Sequence, residues 1–452
     1  MSRGEGPGSR LPELVGSGVE LFVDRHRIAS ADGVVLRLHH PRRAQVAVAF
    51  NRPWEGPTSA YVTVFEDEGR YRMYYRGSLG GGQTEQTCYA ESRDGINWVR
   101  PELGNFDWQG SRRNNIVLRG VGAHNFAPFK DSRPGVPNSE RYKALGRGTD
   151  PKDVLHAFVS EDGIRWRPAS PDPVFTKGRF DSQNVAFWDS VRGKYRCYFR
   201  TPYRGVRGIG VVESADFLSW GEPRLISLYP PDAEHLYTNA TIPYFRNPEY
   251  RLGFPKRFLP ARQKLPQRAT GGISDAVLLS SRDGLHFDRT FMDAWLKPGP
   301  DSRNWGDRST MPAWGLLRTG DGELSAYVGE HYRLPTARLR RVTMRLDGFA
   351  SASAGAAGGS LTTTPLRYRG SRLVLNYATS AAGSLRVELQ DANGRAAPGF
   401  SLAEAPSLYG DAMAEAYTWK KGADTSKLAG RRIRLHFVLQ DCDLYSYRFA
   451  GR

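Results

Sequence analysis

Ser92-Arg93-Asp94-Gly95-Ile96-Asn97-Trp98 is the stretch on which the reading of the fold turns, because it returns three more times. Ser160-Glu161-Asp162-Gly163-Ile164-Arg165-Trp166 repeats it closely. Ser281-Arg282-Asp283-Gly284-Leu285-His286-Phe287 closes on Phe, and Ser214-Ala215-Asp216-Phe217-Leu218-Ser219-Trp220 lacks the glycine. The closing aromatics fall 68, 54 and 67 residues apart. Asp-Gly suits a tight turn, and the Ser or Asp oxygen can accept from the turn's own amides. The acids of these turns, Asp94, Asp162 and Asp283, therefore read as structural.

Between the copies runs a second repeat, an aromatic, a polar turn and an aromatic strand. It reads Phe65 to Tyr74, Phe129 to Leu145, Trp188 to Tyr198, Phe245 to Leu252 and Leu317 to Tyr327. Each alternates with period 2, as a strand–hairpin–strand does. Five copies over residues 45–350 leave about 60 residues per unit, which fits a four-stranded propeller blade with its loops. The expected fold class is all-β, a five-bladed β-propeller followed by a C-terminal β-sandwich.

The boundaries follow from composition. Residues 1–44 read as an N-terminal segment packing on the propeller, 45–350 as the propeller, and the Ala/Gly/Ser-rich 351–360 as a linker. Alternating strands over 361–452 suit a β-sandwich accessory domain. The chain has 452 residues with 39% hydrophobic and 25% charged, which excludes a disordered polymer. No apolar run approaches 18 residues, so no membrane span is expected. Cys88, Cys197 and Cys442 are too few for a disulfide framework and read as buried thiols. No secretory signal is visible near Met1, and a cytoplasmic location is expected.

Lys+Arg total 64 against 47 Asp+Glu, a formal charge of +17. The excess is scattered, without a Lys/Arg block, zinc-finger spacing or RNP-type motif, so nucleic acid is not an expected partner. It reads as a surface bias, with an anionic substrate as the other reading.

The repeated Ser-x-Asp-Gly-x-x-Trp turns and the blade count resemble the five-bladed propeller glycosidases of glycoside hydrolase families 32, 43, 68 and 117. The trailing strands resemble the accessory sandwich of family 32. The resemblance implies a carbohydrate substrate and a funnel lined by the residues that open each innermost strand. Those stretches are polar and aromatic here: Trp54-Glu55, His124-Asn125, Asp181-Ser182-Gln183-Asn184, Glu234-His235-Leu236-Tyr237-Thr238-Asn239 and Trp305-Gly306-Asp307-Arg308. Glycoside hydrolysis needs two carboxyl groups. Asp181 is expected as base or nucleophile and Glu234 as general acid, with Asp307 and Glu55 in reserve. Trp54, His124, Asn125, Gln183, Asn184, His235, Tyr237, Asn239, Trp305, Arg308, Glu330 and His331 are the expected substrate contacts. The families place an Asp on blade one and a second on blade two; here Glu55 and His124-Asn125 stand there, so the roles do not transfer position by position. No metal or cofactor motif is present, and a structural calcium ion in the channel has no signal in the sequence. The expected activity is that of a glycoside hydrolase acting on a furanoside or an acidic or uncommon sugar. The alternative is a non-catalytic carbohydrate-binding or scaffold propeller.

Overall fold

A computed structural model of the chain describes residues 14–15, 18–81, 84–231, 233–265 and 271–451. Its described regular structure is β-strand with four short 3₁₀ turns and no α-helix. No helix among the described residues is long and apolar enough to cross a membrane. The chain divides into two compact units, residues 41–244 with 248–344, and residues 1–40 with 245–247 and 345–452.

Five sheets make the first unit a five-bladed propeller. Blade one pairs Ala60–Asp67, Arg70–Gly77, Gln86–Ser92 and Ile116–Arg119 in order. Blade two runs from Gly122–Lys130 to Arg167–Pro168, and blade three from Val185–Asp189 to Arg224–Leu225. Blade four orders Ile242–Tyr244, Asn247–Gly253, Leu279–Ser281 and His286–Asp288, with Ser227–Tyr229 parallel on its edge. Blade five takes Met311–Pro312, Glu323–Glu330 and Arg338–Arg345, and its outermost strand is Arg42–Ala49 from the start of the propeller. The ring is thus closed by hydrogen bonds between its two chain ends. Trp314 and the Val62–Val64 backbone also exchange amide bonds of 2.8 Å between blades five and one.

The two sequence repeats are the two sides of one contact between blades. In each Ser-x-Asp-Gly turn the Ser hydroxyl accepts from the Gly amide, 2.9 Å for Gly95, and the Asp accepts from the next two amides, 2.7 and 2.8 Å for Asp94. The glycine takes a left-handed φ, +69° at Gly95, +74° at Gly163 and +72° at Gly284. Its carbonyl then receives a tyrosine hydroxyl from the neighbouring blade. Tyr74 of blade one donates to Gly163 of blade two at 2.9 Å, and Tyr198 of blade three to Gly284 of blade four at 2.8 Å. Tyr327 of blade five donates likewise to Gly95 of blade one. A side chain on Gly163 would stand 2.7 Å from the Tyr74 hydroxyl, which is why the turn carries Gly. The copy without glycine explains itself by size. Blade two has Leu145 where the others have Tyr74 and Tyr198, and Phe217 fills that space from the opposing turn despite a φ of +74°.

These turns tie stability to pH. Burial raises the Asp283 carboxyl, but His286 and the turn amides outweigh it and bring it from 3.8 to about 2. Asp94, Asp162 and Asp216 are lowered as well, the same turn amides outweighing burial in each. A carboxyl depressed in the folded state stabilises above its ordinary value, and that contribution disappears as pH falls through the folded value. Urea-unfolding midpoints are expected to fall steeply between about pH 4 and pH 2. Asp283→Asn is expected to flatten part of that slope; an unchanged slope would count against the turn as its source.

In the second unit all the larger strands belong to one eight-stranded sheet. Arg372–Asp391 and Ile433–Ala450 pair along nearly their whole length. Leu373, Leu375, Tyr377, Leu385, Val387 and Leu389 alternate inward against Leu435, Phe437, Leu439 and Trp419. Two boundaries expected from composition are corrected. The described part of residues 1–40 lies in this unit: Val34–Leu38 pairs with Ala350–Ala354, and Ile28–Asp32 with Gly359–Thr363. Residues 1–13, 16 and 17 lie outside the described residues. The stretch 351–360 is not a linker but the strand Ala350–Ala354, a turn and the start of Gly359–Thr363. Ala350 to Ala354 is buried at every position, so its small side chains reflect packing on both faces. Cys88, Cys197 and Cys442 are free and buried.

Candidate functional site

In a propeller the innermost strands surround the channel, and here the side chains near their openings touch. Tyr61 of blade one donates to the Asp181 carbonyl ahead of blade three at 3.0 Å. Its ring lies 5.7 Å from that of His124 in blade two. Arg76, on blade one's second strand, covers the Tyr61 ring at 4.7 Å and donates to the Tyr332 hydroxyl at 3.3 Å. Arg308, ahead of blade five, donates to the same oxygen at 3.2 Å and lies 5.5 Å from the centroid of Tyr237, ahead of blade four. Around that ring stand Arg200 and Arg207 of blade three, at 5.3 and 5.2 Å, and Lys256 Nζ at 3.8 Å. This chain of contacts visits all five blades. Tyr61 and Arg308 hold left-handed φ values of 53° and 58°, strain of about 1–3 kcal/mol each that such sites concentrate.

Three carboxylates border this cluster. Asp181 pairs with Arg200, and its side chain is 45% exposed. Asp307 is buried, 3.6 Å from both Arg308 and Arg333. Glu85 lies 3.3 Å from Arg76 and 2.5 Å from His124 Nδ1. Burial raises the Glu85 carboxyl, but His124 and Arg76 outweigh it and hold it below the usual range. Burial also lowers His124, more than Glu85 raises it, so the pair is a carboxylate and a neutral imidazole whose Nδ1–H donates. His235 Nδ1 accepts from the Arg207 amide at 3.2 Å, which puts its proton on Nε2. Burial, and then Arg207, lower its pKa. Burial pushes the Tyr61 hydroxyl up, so it stays a donor. Lys256 is wholly buried, which drives its amine far below the ordinary value; Asp307 opposes this, and Arg308, Arg207 and Arg200 add to it.

Of the expected site residues, Asp181, Asp307, His124, His235, Tyr237 and Arg308 come together here. The others make separate contacts, with Glu330 lining a cavity that Tyr61, Arg308 and Tyr332 also line. Glu55 is fully buried, with Oε1 accepting from Tyr75 at 2.5 Å and Oε2 from the Arg52 amide and Arg100 at 3.0 and 2.8 Å. Glu234 is clamped by Arg257 at 2.9 Å and Arg289 at 2.8 Å. Burial raises its carboxyl, but the two guanidiniums outweigh this and hold it below the usual range. Glu330 is buried among Arg43, Arg338 and Arg340, and the fully buried His331 bonds Asp301 at 2.8 Å. Asn125, Gln183, Asn184 and Asn239 are buried amides that donate to backbone carbonyls, such as Gln183 to Val62 at 2.9 Å between blades three and one. The Trp54 indole bonds Asn115 at 2.7 Å, and the Trp305 indole bonds the Gly299 carbonyl at 2.8 Å.

Arg76, Glu85, Arg200 and Lys256 were not among the expected contacts. Two of them carried a signal. Tyr71-Arg72-Met73-Tyr74-Tyr75-Arg76 and Tyr195-Arg196-Cys197-Tyr198-Phe199-Arg200 align, and each ends on an arginine. Both lie on second strands, whereas the expected contacts other than Glu330 and His331 lie near the openings of the first.

Fold and site together define a five-bladed propeller with a cation-rich polar funnel. No family model matches the chain. It is similar to "Uncharacterized protein Rv1502" of Mycobacterium tuberculosis (strain ATCC 25618 / H37Rv), 31% identical over 153 residues, 33% of this chain and 44% of that protein. "Uncharacterized protein MT1551" of Mycobacterium tuberculosis (strain CDC 1551 / Oshkosh) is 29% identical over 157 residues, again 33% and 44%. The chain thus spans less than half the length of the curated relatives it matches. Among solved structures it is similar to a glycoside hydrolase, with a TM-score of 0.47 and 12% identity over 68% of this chain and 92% of that one. It is also similar to a fructofuranosidase from Schwanniomyces occidentalis complexed with fructosylnystose, TM-score 0.41 and 11% identity over 90% and 99%. These are likenesses of chain path, and the five-bladed architecture stands on the strand pairing of this chain itself.

Proposed function

We propose that the protein cleaves glycosidic bonds in the propeller funnel, with Asp181 and Asp307 as the two carboxyl groups. The observation that carries this reading is their convergence: both border the Tyr237 cluster, one through Arg200 and the other through Arg308. Asp181, half exposed, is the one a water or an anomeric carbon reaches, and serves as base or nucleophile. Asp307, buried at the same cluster on the Arg308 side, serves as the acid. Tyr237, Tyr61 and Tyr332 offer the aromatic faces and hydroxyls that a sugar ring uses.

The test is hydrolysis of a panel of aryl glycosides and oligosaccharides by the wild type, Asp181→Asn and Asp307→Asn. Each substitution is expected to lower kcat about 100-fold or more with the melting temperature held. Wild-type rates in both variants would sink the assignment. The second reading, a carbohydrate-binding propeller without chemistry, is favoured by the ion pairing of all three bordering carboxylates. It wins if the wild type binds members of the panel and cleaves none.

A further inference from the structure

We propose that the cations around Tyr237 form an oxyanion subsite that takes the carboxylate or phosphate group of an anionic sugar. This deepens the preceding reading and rests on it for the sugar. It stands first on Lys256. The side chain is fully buried, and its terminal nitrogen, 3.8 Å from the Tyr237 centroid, has no hydrogen-bond partner among the described residues. Its amine has N–H donors with nothing to receive them, and burying such a group unpartnered is costly, more so when it is charged. An acceptor delivered by a ligand relieves that cost.

Arg207 supplies the second observation. Its guanidinium meets His235 Nδ1 at 3.2 Å and the faces of Tyr237 and Phe258, and no carboxylate pairs with it among the described residues. Among the described residues the fully buried arginines of this chain are matched with acids, whereas Arg207 is half-buried beside a ring and an imidazole. Arg289 pairs with Glu234, Arg196 with Asp189 and Glu213, and Arg251 with Asp189. At the funnel the balance differs. Arg76, Arg200, Arg207, Lys256, Arg308 and Arg333 outnumber Glu85, Asp181 and Asp307. Like charges gathered around one ring repel strongly in a partly dry site, and an entering anion reverses the sign of that interaction. Guanidinium forks fit the two coplanar oxygens of a carboxylate or the edge of a phosphate. Arg308 and Asp181 are partly exposed, which leaves the subsite open to the funnel. The positive excess of the chain is put to use at this place.

Calorimetric titration of the full chain tests this with a methyl hexuronoside, a hexose 6-phosphate, the corresponding neutral methyl hexoside, and inorganic phosphate alone. An acidic sugar is expected to bind about 10-fold or more tightly than the neutral one, since a charge-assisted bond is gained. Arg207→Gln and Lys256→Met are each expected to remove that preference while the thermal midpoint of the free protein holds. Phosphate binding without preference for any acidic sugar would assign the subsite to the free anion and overturn its attachment to the sugar. Equal affinity for acidic and neutral sugars with no phosphate binding would overturn the subsite altogether. Because the readout is equilibrium binding, neither outcome depends on whether Asp181 and Asp307 cleave the ligand.

Discussion

Glu55→Ala is expected to cost about 3–5 kcal/mol of stability, the range for removing one partner of a buried ion pair. It is not expected to act through catalysis. The Glu55 carboxylate joins Tyr75, Arg100 and the Arg52 amide, and each part of that network leads further. Arg100 also donates to the Ala49 carbonyl at 3.0 Å, at the end of the strand that closes the ring. The Tyr75 hydroxyl accepts from Asn115 at 3.0 Å, and Asn115 in turn accepts from the Trp54 indole. Truncation leaves a guanidinium and a phenol without their shared acceptor in a water-excluded place. Urea unfolding followed by tryptophan fluorescence should show the loss, with kcat per folded molecule kept. A variant of wild-type stability with its activity gone would return Glu55 to the active site.

The second large effect lies between blades three and four. Asp189 accepts from the Val191 and Arg192 amides at 3.1 and 3.2 Å and pairs with both Arg196 and Arg251, which are fully buried. Arg196 retains Glu213 when Asp189 is lost, at 2.7 Å, whereas among the described residues Arg251 retains carbonyl oxygens, such as that of Glu249 at 2.9 Å. Asp189→Ala is therefore expected to cost about 3–5 kcal/mol. Combining Asp189→Leu with Arg251→Met should cost markedly less than Asp189→Leu alone, because the pair leaves no orphaned charge. If the double variant is as unstable as the sum of the two single ones, the two residues are not coupled and the buried pair is not the source of the loss.

Much of the propeller was legible because its turns demand particular residues. Glycine at +69° to +74° and an acid accepting turn amides leave a period that survives divergence, and even the exception at Phe217 marks a blade. The closing strand was less legible, since Arg42–Ala49 resembles any alternating strand until its partner Arg338–Arg345 is known. The stretch 351–360 shows the limit of composition. Ala and Ser runs are flexible in water, yet between two packed faces they are the residues that fit. In the site, residue types alone could not separate funnel from framework. Asp181 and Glu234 look alike along the chain, and only the positions of Arg257 and Arg289, remote in sequence, turn Glu234 into a clamp. Lys256 carried no pattern at all, because what distinguishes it is the absence of an acceptor around its amine.

The closing strand has a consequence for the order in which the propeller can be made. Ribosomes release chains from the N-terminus, so Arg42–Ala49 emerges ahead of every blade and its partner Arg338–Arg345 emerges after nearly all of them. Blades one to four can pair within themselves as they appear, while the first strand waits through their whole synthesis for its mate. A contact of such sequence separation is slow to form. The newborn protein therefore carries an unpaired strand for most of its translation, and the ring is sealed by the earliest made of its strands.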